Sequence, residues 1–326
     1  MMNIHLLHIV KMILGRSEHI VNKRVLCLGN ITQDILLRVK DIPKLDDVAM
    51  VNNYTECLGG RGAIVAITLG VLGVNPSYIT YVPNCNAAEE FIQTLNDNGV
   101  NTSYVGVDSH STKLFQVTAI ISEVQKNCIS FFIPTDVEFV VTDSMRREAF
   151  KSNIVYFTTH NKKFNLSLMS DIDKNNTHII HNACSYFLNS EEYTTAMLKN
   201  SHTLICNENE FSILLKVTNS KSVNDIWSIS DVLNTIIVTQ GTKGSTVYEK
   251  RGTEKSFPTS EVEALAPIGA GDSYAAGIIY GIYNDWTIDR SVEFAHKLSG
   301  ISVNSMTSYP EICRVIDLKK QFEVQK

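Results

Sequence analysis

An α/β domain, with a mainly parallel sheet sandwiched by helices and a small β-strand lid, is the fold the sequence predicts. Three observations lead there. Short β-branched runs alternate with segments of helical period, the pattern of a parallel sheet covered on both faces. Two stretches break that rhythm and read as additional strands. No Pro/Gly/Ser linker, internal repeat or low-complexity run divides the 326 residues.

Arg24 to Leu28 reads as the first strand and ends at Gly29. Gly62 to Leu72 follows as a helix closing at Gly73, then Tyr78 to Val82 as a strand. Ala87 to Asn98 is a second helix, ending before Gly99, a residue suited to a left-handed C-terminal cap. Further strands are expected at Ile154 to Phe157, His178 to His181, Thr203 to Cys206 and Thr235 to Thr239, with helices between them at Leu166 to Lys174, Glu191 to Asn200 and Glu208 to Val217. The interruptions are residues 35–57 and about 112–134. In the second, a run from Phe115 and another from Ile129 form an antiparallel pair around a polar turn at Glu123 to Asn127, so the two segments are expected to build the lid. The domain spans 23–326, and residues 1–22 are expected to be a loosely ordered N-terminal extension, because Lys11 and two histidines break their apolar run and no small-residue cleavage site follows.

With 29 Lys plus Arg against 34 Asp plus Glu, the net charge of -5 offers no basic field for nucleic acid or an anionic membrane. No apolar run approaches the ~20 residues of a membrane span. Seven scattered cysteines without a Cys-x-x-Cys pair fit reduced thiols and a cytoplasmic location, and a small-molecule partner is expected. His178 and His181, three apart on a strand, point to opposite faces and do not suggest a metal site.

Two glycine-rich runs carry the chemistry. In Pro267 to Tyr283, Gly269 and Gly271 permit a tight turn with exposed amides at a helix start, where phosphate charge is stabilised. Asp272 stands beside that turn. It reads either as a helix cap or as a base that takes a proton from a hydroxyl while the adjacent amides hold the phosphoryl group. In Leu58 to Ala63, Gly59, Gly60 and Gly62 let the backbone approach a ligand, and Arg61 could add a donor fork; a plain tight turn is the alternative. Neither run is a Walker A loop or a dinucleotide fingerprint.

Taken together and in this order, these runs resemble the ribokinase-like (PfkB) family of carbohydrate and nucleoside kinases, over about Lys23 to Pro310. The resemblance implies a Rossmann-like fold and ATP-dependent phosphorylation of a primary hydroxyl of a sugar, sugar derivative or nucleoside. Gly29-Asn30-Ile-Thr-Gln-Asp34 is similar to the family's first strand and substrate-binding aspartate, and Gly59, Gly60 and Arg61 to the first signature at the sugar site. Asn207 and Glu210 match an Asn-x-x-Glu element that helps place Mg2+ and phosphate, the metal contact being indirect. Thr239, Gly241 and Gly244 resemble the strand and turn at the nucleotide, and His296 a residue bordering the adenine. Gly269, Ala270, Gly271 and Asp272 resemble the anion hole and catalytic base. A homodimer through the lid edge is also expected.

Two departures from the pattern bear on function. Ile64 occupies a position where the family usually carries an asparagine that bonds a substrate hydroxyl. Ala266-Pro267-Ile268 replaces the usual Asp-Thr-Thr, and Met306 to Pro310 departs from the small Gly-Ala pattern, so activation by a monovalent cation is not expected. These departures sustain a rival reading, a catalytically silent ribokinase-like ligand-binding or regulatory protein. Retention of Asp34, Asn207, Glu210, Gly269, Gly271 and Asp272 favours the enzyme.

Overall fold

A computed structural model describes residues 23–125, 127–158, 161–259 and 268–324. The expected extension 1–22 and the positions Ala266 and Pro267 lie outside the described residues. The main sheet is built from β1 (Val25–Leu28), β4 (Ser77–Pro83), β5 (Asn101–Asp108), β8 (Ile154–Phe157), β9 (His178–Asn182), β10 (Thr203–Asn207), β11 (Thr235–Thr239), β12 (Ser245–Glu249) and β13 (Thr253–Phe257). Its strand order is β13-β12-β11-β10-β9-β8-β1-β4-β5. All neighbours from β11 to β5 run parallel, while β12 and β13 form an antiparallel edge.

Every residue of β1 and β8 is buried, as the central strands of a sheet covered on both faces must be. Alternation divides them between two cores. Val25 and Cys27 face helices α1 (Arg61–Val71) and α2 (Asn86–Asp97), and Leu26 and Leu28 face α3 (Asp143–Lys151), α4 (Lys162–Met169), α5 (Ser185–Leu188), α6 (Glu191–Asn200), α7 (Glu208–Val217) and α8 (Val223–Trp227). The first face is completed by α9 (Ala270–Tyr283), α10 (Ile288–Val303) and α11 (Ile312–Val324).

A second sheet, ordered β3-β2-β6-β7, is the expected lid. It consists of β2 (Thr32–Val39), β3 (Val51–Gly59), β6 (Phe115–Ser122) and β7 (Cys128–Ile133). The β6–β7 hairpin is antiparallel, as expected, and β6 runs parallel to β2. Asp34 therefore sits on the second strand, in the lid, and not at the end of the first. One helix is displaced from its expected place at Leu166 to Lys174. It starts at Lys162, because the Asn161 side chain accepts from the Phe164 amide at 3.1 Å and caps it.

The histidines behave as expected of a strand. His181 stacks on Phe157 at 4.8 Å between centroids, and His178 lies on the other face against His202. No group of three or more potential metal ligands exists among the described residues. None of their helices is long and apolar enough to cross a membrane.

Candidate active site

Gly269 is where the chain turns into α9. Its φ of 76° is left-handed, and a Cβ there would lie 1.7 Å from the Ser308 carbonyl oxygen, so only glycine fits. No side chain caps α9. The amides of Ala270, Gly271 and Asp272 thus stand at its positive end without a side-chain partner of the capping kind. A Cβ on Gly271 would meet nothing within 4 Å, which leaves the turn open on that side.

The cap position belongs to Gly269, so the capping reading of Asp272 gives way. Its side chain points instead into a polar cluster, and the residue is only 8% exposed. Oδ1 accepts from Arg61 Nε at 3.3 Å and from Asn182 Nδ2 at 3.4 Å, while Arg61 Nη1 donates to the Ala183 carbonyl at 2.8 Å. Burial pushes the Asp272 carboxyl from its ordinary 3.8 up to about 6, against the pull of the Arg61 charge. Burial also works against the Arg61 guanidinium, but Asp272 and Glu210 outweigh it and hold the cation charged.

Asp34 faces this cluster from the lid. Its two oxygens accept from Thr32 Oγ1 and Ser308 Oγ, each at 2.5 Å. Burial raises its pKa and these two hydroxyls oppose the rise. Gly59 makes the approach possible, since a Cβ there would fall 2.1 Å from the Asp34 carboxylate. Gly60, at φ 99°, passes directly over the Asn30 carbonyl. That carbonyl and the one before it accept from the Tyr78 hydroxyl, which pins the loop. The Asn30 Oδ1 is buried and finds no partner among the described residues.

The expected nucleotide-side residues divide into two groups. Asn207 and Glu210 form a capping box on α7: Asn207 Oδ1 accepts from the Glu210 amide at 2.8 Å, and Glu210 Oε2 accepts from the Asn207 amide at 2.9 Å. Thr239 lies beside Asn207 in the β10–β11 register, and Gly241 opens a short 3-10 turn onto free space. Gly244, at φ 101°, lies tight against the Phe257 carbonyl, so its small size serves the β12–β13 edge. His296 lines a cleft of about 560 Å3 with Phe257, Thr259, Gly300, Asn304 and Arg314. Its Nε2 is 3.1 Å from Ser245 Oγ, which in turn bonds the Tyr274 hydroxyl at 2.9 Å, and burial lowers the imidazole pKa.

Sequence reasoning missed Thr32, Asn182 and Ser308. Thr32 carries a usable signal, being two residues from Asp34 on the same strand face. Ser308 carries none, because a loop 274 residues downstream brings it to Asp34.

The model of the pfkB family carbohydrate kinases matches residues 22–311. A nucleoside kinase of Methanocaldococcus jannaschii is 23% identical over 274 residues, 82% of this chain and 86% of that protein. A 5-dehydro-2-deoxygluconokinase of Clostridium beijerinckii is 23% identical over 273 residues, 78% and 80% of the two chains. Among solved structures, Arabidopsis thaliana ribokinase complexed with ribose and ATP aligns with a TM-score of 0.75 at 16% identity, covering 91% of this chain and 99% of that one. A match that takes in the main sheet, the lid strands and the Gly269 turn leaves one conclusion: the chain belongs to the pfkB family of carbohydrate kinases.

Proposed function

We propose that the chain transfers the terminal phosphoryl group of ATP to a primary hydroxyl of a sugar, sugar derivative or nucleoside, with Asp272 as the base. The observation that carries this reading is the buried Asp272 carboxyl, raised to about 6, beside the uncapped start of α9. Near neutral pH such a group is ionised yet basic enough to take a proton from an alcohol as its oxygen attacks phosphorus. The new P–O bond forms, the bond to the ADP oxygen breaks, and the proton rests on Asp272 until solvent removes it. Charge on the transferred group falls on the amides of Ala270 and Gly271 and near the Arg61 guanidinium. Asp34 holds the acceptor by exchanging its bonds to Thr32 and Ser308 for substrate hydroxyls, and Asn30 Oδ1 supplies a further acceptor.

The cleft at His296 is the reading's place for the ATP base, with Thr239 and Gly241 along the phosphates. Mg2+ fits the donor set at α7, where the capping box engages Oε2 of Glu210 and leaves Oε1 outside it; when bound, the ion would neutralise phosphate charge. Asn207 and Glu210 would act on it through water or phosphate. Potassium activation is not part of this reading.

We also place the protein in the cytoplasm, on seven free thiols, and assemble it as a homodimer through the lid. Support for the dimer is the outer lid face, where Tyr54, Ile129, Phe131 and Ile133 are exposed. The silent-binder alternative gives no use to an ionised carboxylate buried at an anion site.

The test is ADP formation over a panel of sugars and nucleosides, run beside Asp272→Asn. One acceptor should be turned over, and the variant should lose roughly 100-fold to 10,000-fold in rate. An unchanged rate in the variant would remove Asp272 from the mechanism.

A further inference from the structure

Residues paired in register across a sheet project from the same face. One such row in the lid reads Cys57, Asp34, Val117, Phe132. Phe132 thus stands on the face that carries Asp34, two strand spacings or roughly 10 Å away. Phe115, opposite Thr32, lies on that face too, and its ring centroid is 5.3 Å from that of Phe132, the planes inclined at 33°.

The two ends of this face differ. Leu36, Ala119 and Ile121 are closed off against Ile268. Phe132 stays open, 55% exposed, while Phe115 is half-buried between it and Phe139. A large ring left half in water on the face of a buried, hydroxyl-binding carboxylate is costly unless a ligand covers it. Apart from Asp34, no charged side chain shares the row. Ile64 packs beside Gly269 and offers a substrate no hydrogen bond.

A monosaccharide can satisfy Asp34 and Asn30, and its C–H face can stack on an aromatic ring, but it is too short to do both across a separation of roughly 10 Å. A ribosyl group bearing a heteroaromatic base has both parts, separated in the way that Asp34 and the ring pair are. Every nucleobase has a π-face that stacks on phenylalanine. We infer that the acceptor is a nucleoside, its ribose hydroxyls held by Asp34 and its base stacked against Phe132 and Phe115. The inference rests on the kinase reading of this site, but the binding it describes can be measured without turnover.

The experiment is calorimetric titration of the full chain with inosine, adenosine and cytidine, against D-ribose and methyl β-D-ribofuranoside, which keeps the sugar and replaces the base by a methyl group. At least one nucleoside should bind roughly 10-fold or more tightly than the methyl riboside. Phe132→Ala should weaken that nucleoside by a similar factor and change the methyl riboside less than about two-fold. Phe132→Leu, which keeps apolar bulk and removes the ring, should do the same, and Phe132→Trp should retain the affinity.

Equal binding of nucleosides and methyl riboside overturns the inference, as does a Phe132→Ala effect that is absent or the same for both. ADP formation separates the two readings. Nucleoside binding without turnover would sink the kinase and leave the nucleoside site standing. Transfer to a monosaccharide by a chain indifferent to all three nucleosides would do the reverse.

Discussion

Near neutral pH an aspartate with a folded pKa of about 6 is ionised, and inside the Asp272 cluster that charge has both a use and a cost. The use sets a pH profile. Turnover should rise with pH, reach half its maximum near 6 and level off above, because the base must be deprotonated. Arg61 lowers the value, so Arg61→Gln should move the midpoint upward by one or more pH units and Arg61→Lys should largely restore it; a midpoint that stays put would separate Arg61 from the base. The cost is linked to folding. Asp272 titrates near 3.8 when unfolded and near 6 when folded, so the fold favours its protonated form. That contribution is present below about pH 4 and is lost as pH rises through 6, leaving an ionised carboxylate that costs on the order of 3 kcal/mol at neutral pH. Asp272→Asn should therefore raise the melting temperature at about pH 7.5, with the gain shrinking toward pH 5. A variant that melts lower than the parent at neutral pH would refute the cost. Asp272 is legible in the sequence because Gly269 and Gly271 mark the turn beside it, and Asp34 through the resemblance of the Gly29 to Asp34 run to the family's aspartate. Ser308 is not, since only folding brings its hydroxyl to Asp34.

Helices with strong local signals stand where the sequence puts them. Glu191–Asn200 and Glu208–Val217 match in both bounds, because Ser190 and Asn207 cap them with side-chain bonds that the sequence displays. The same holds for the strands Ile154–Phe157 and Thr235–Thr239, short β-branched or aromatic runs buried in mid-sheet. Of the main-sheet strands that were missed, β5 and β13 are edges of mixed composition with no fully buried residue, and only pairing to a neighbour makes them strands, whereas β12 lies inside the sheet and follows directly on the short turn at Gly241. The cap of α7 is also a site element. By fixing Glu210 through its own amide, Asn207 aims a carboxylate toward Arg61 and Asp272. Asn207→Ala should cost about 1 kcal/mol in chemical denaturation and also raise the KM for ATP. Asn207→Ser, which restores a cap without the amide, should recover the stability and leave the KM high. Recovery of both would reduce Asn207 to a cap.

On the scale of the whole molecule, strand alternation puts the proposed acceptor site and the proposed dimer contact on opposite faces of the lid. Phe132 shares its face with Asp34 and belongs to the acceptor site, whereas Phe131, one residue away, points outward with Ile129 and Ile133. At the opposite edge of the lid, on β3, Tyr54 is exposed on the same face. An edge strand carrying this much apolar surface invites association, and the cheapest closed assembly for one self-complementary patch is a two-fold dimer. The parallel sheet and its helices gave the sequence most of its pattern, but the lid's two-sidedness emerges only when β2, β3, β6 and β7 are in register. Light scattering at micromolar concentration should report a dimer for the parent and a monomer for Phe131→Asp, with Phe132→Ala still dimeric. A monomeric parent would remove the dimer. A monomer produced by Phe132→Ala and not by Phe131→Asp would exchange the two faces, and with them the acceptor site drawn from Phe132.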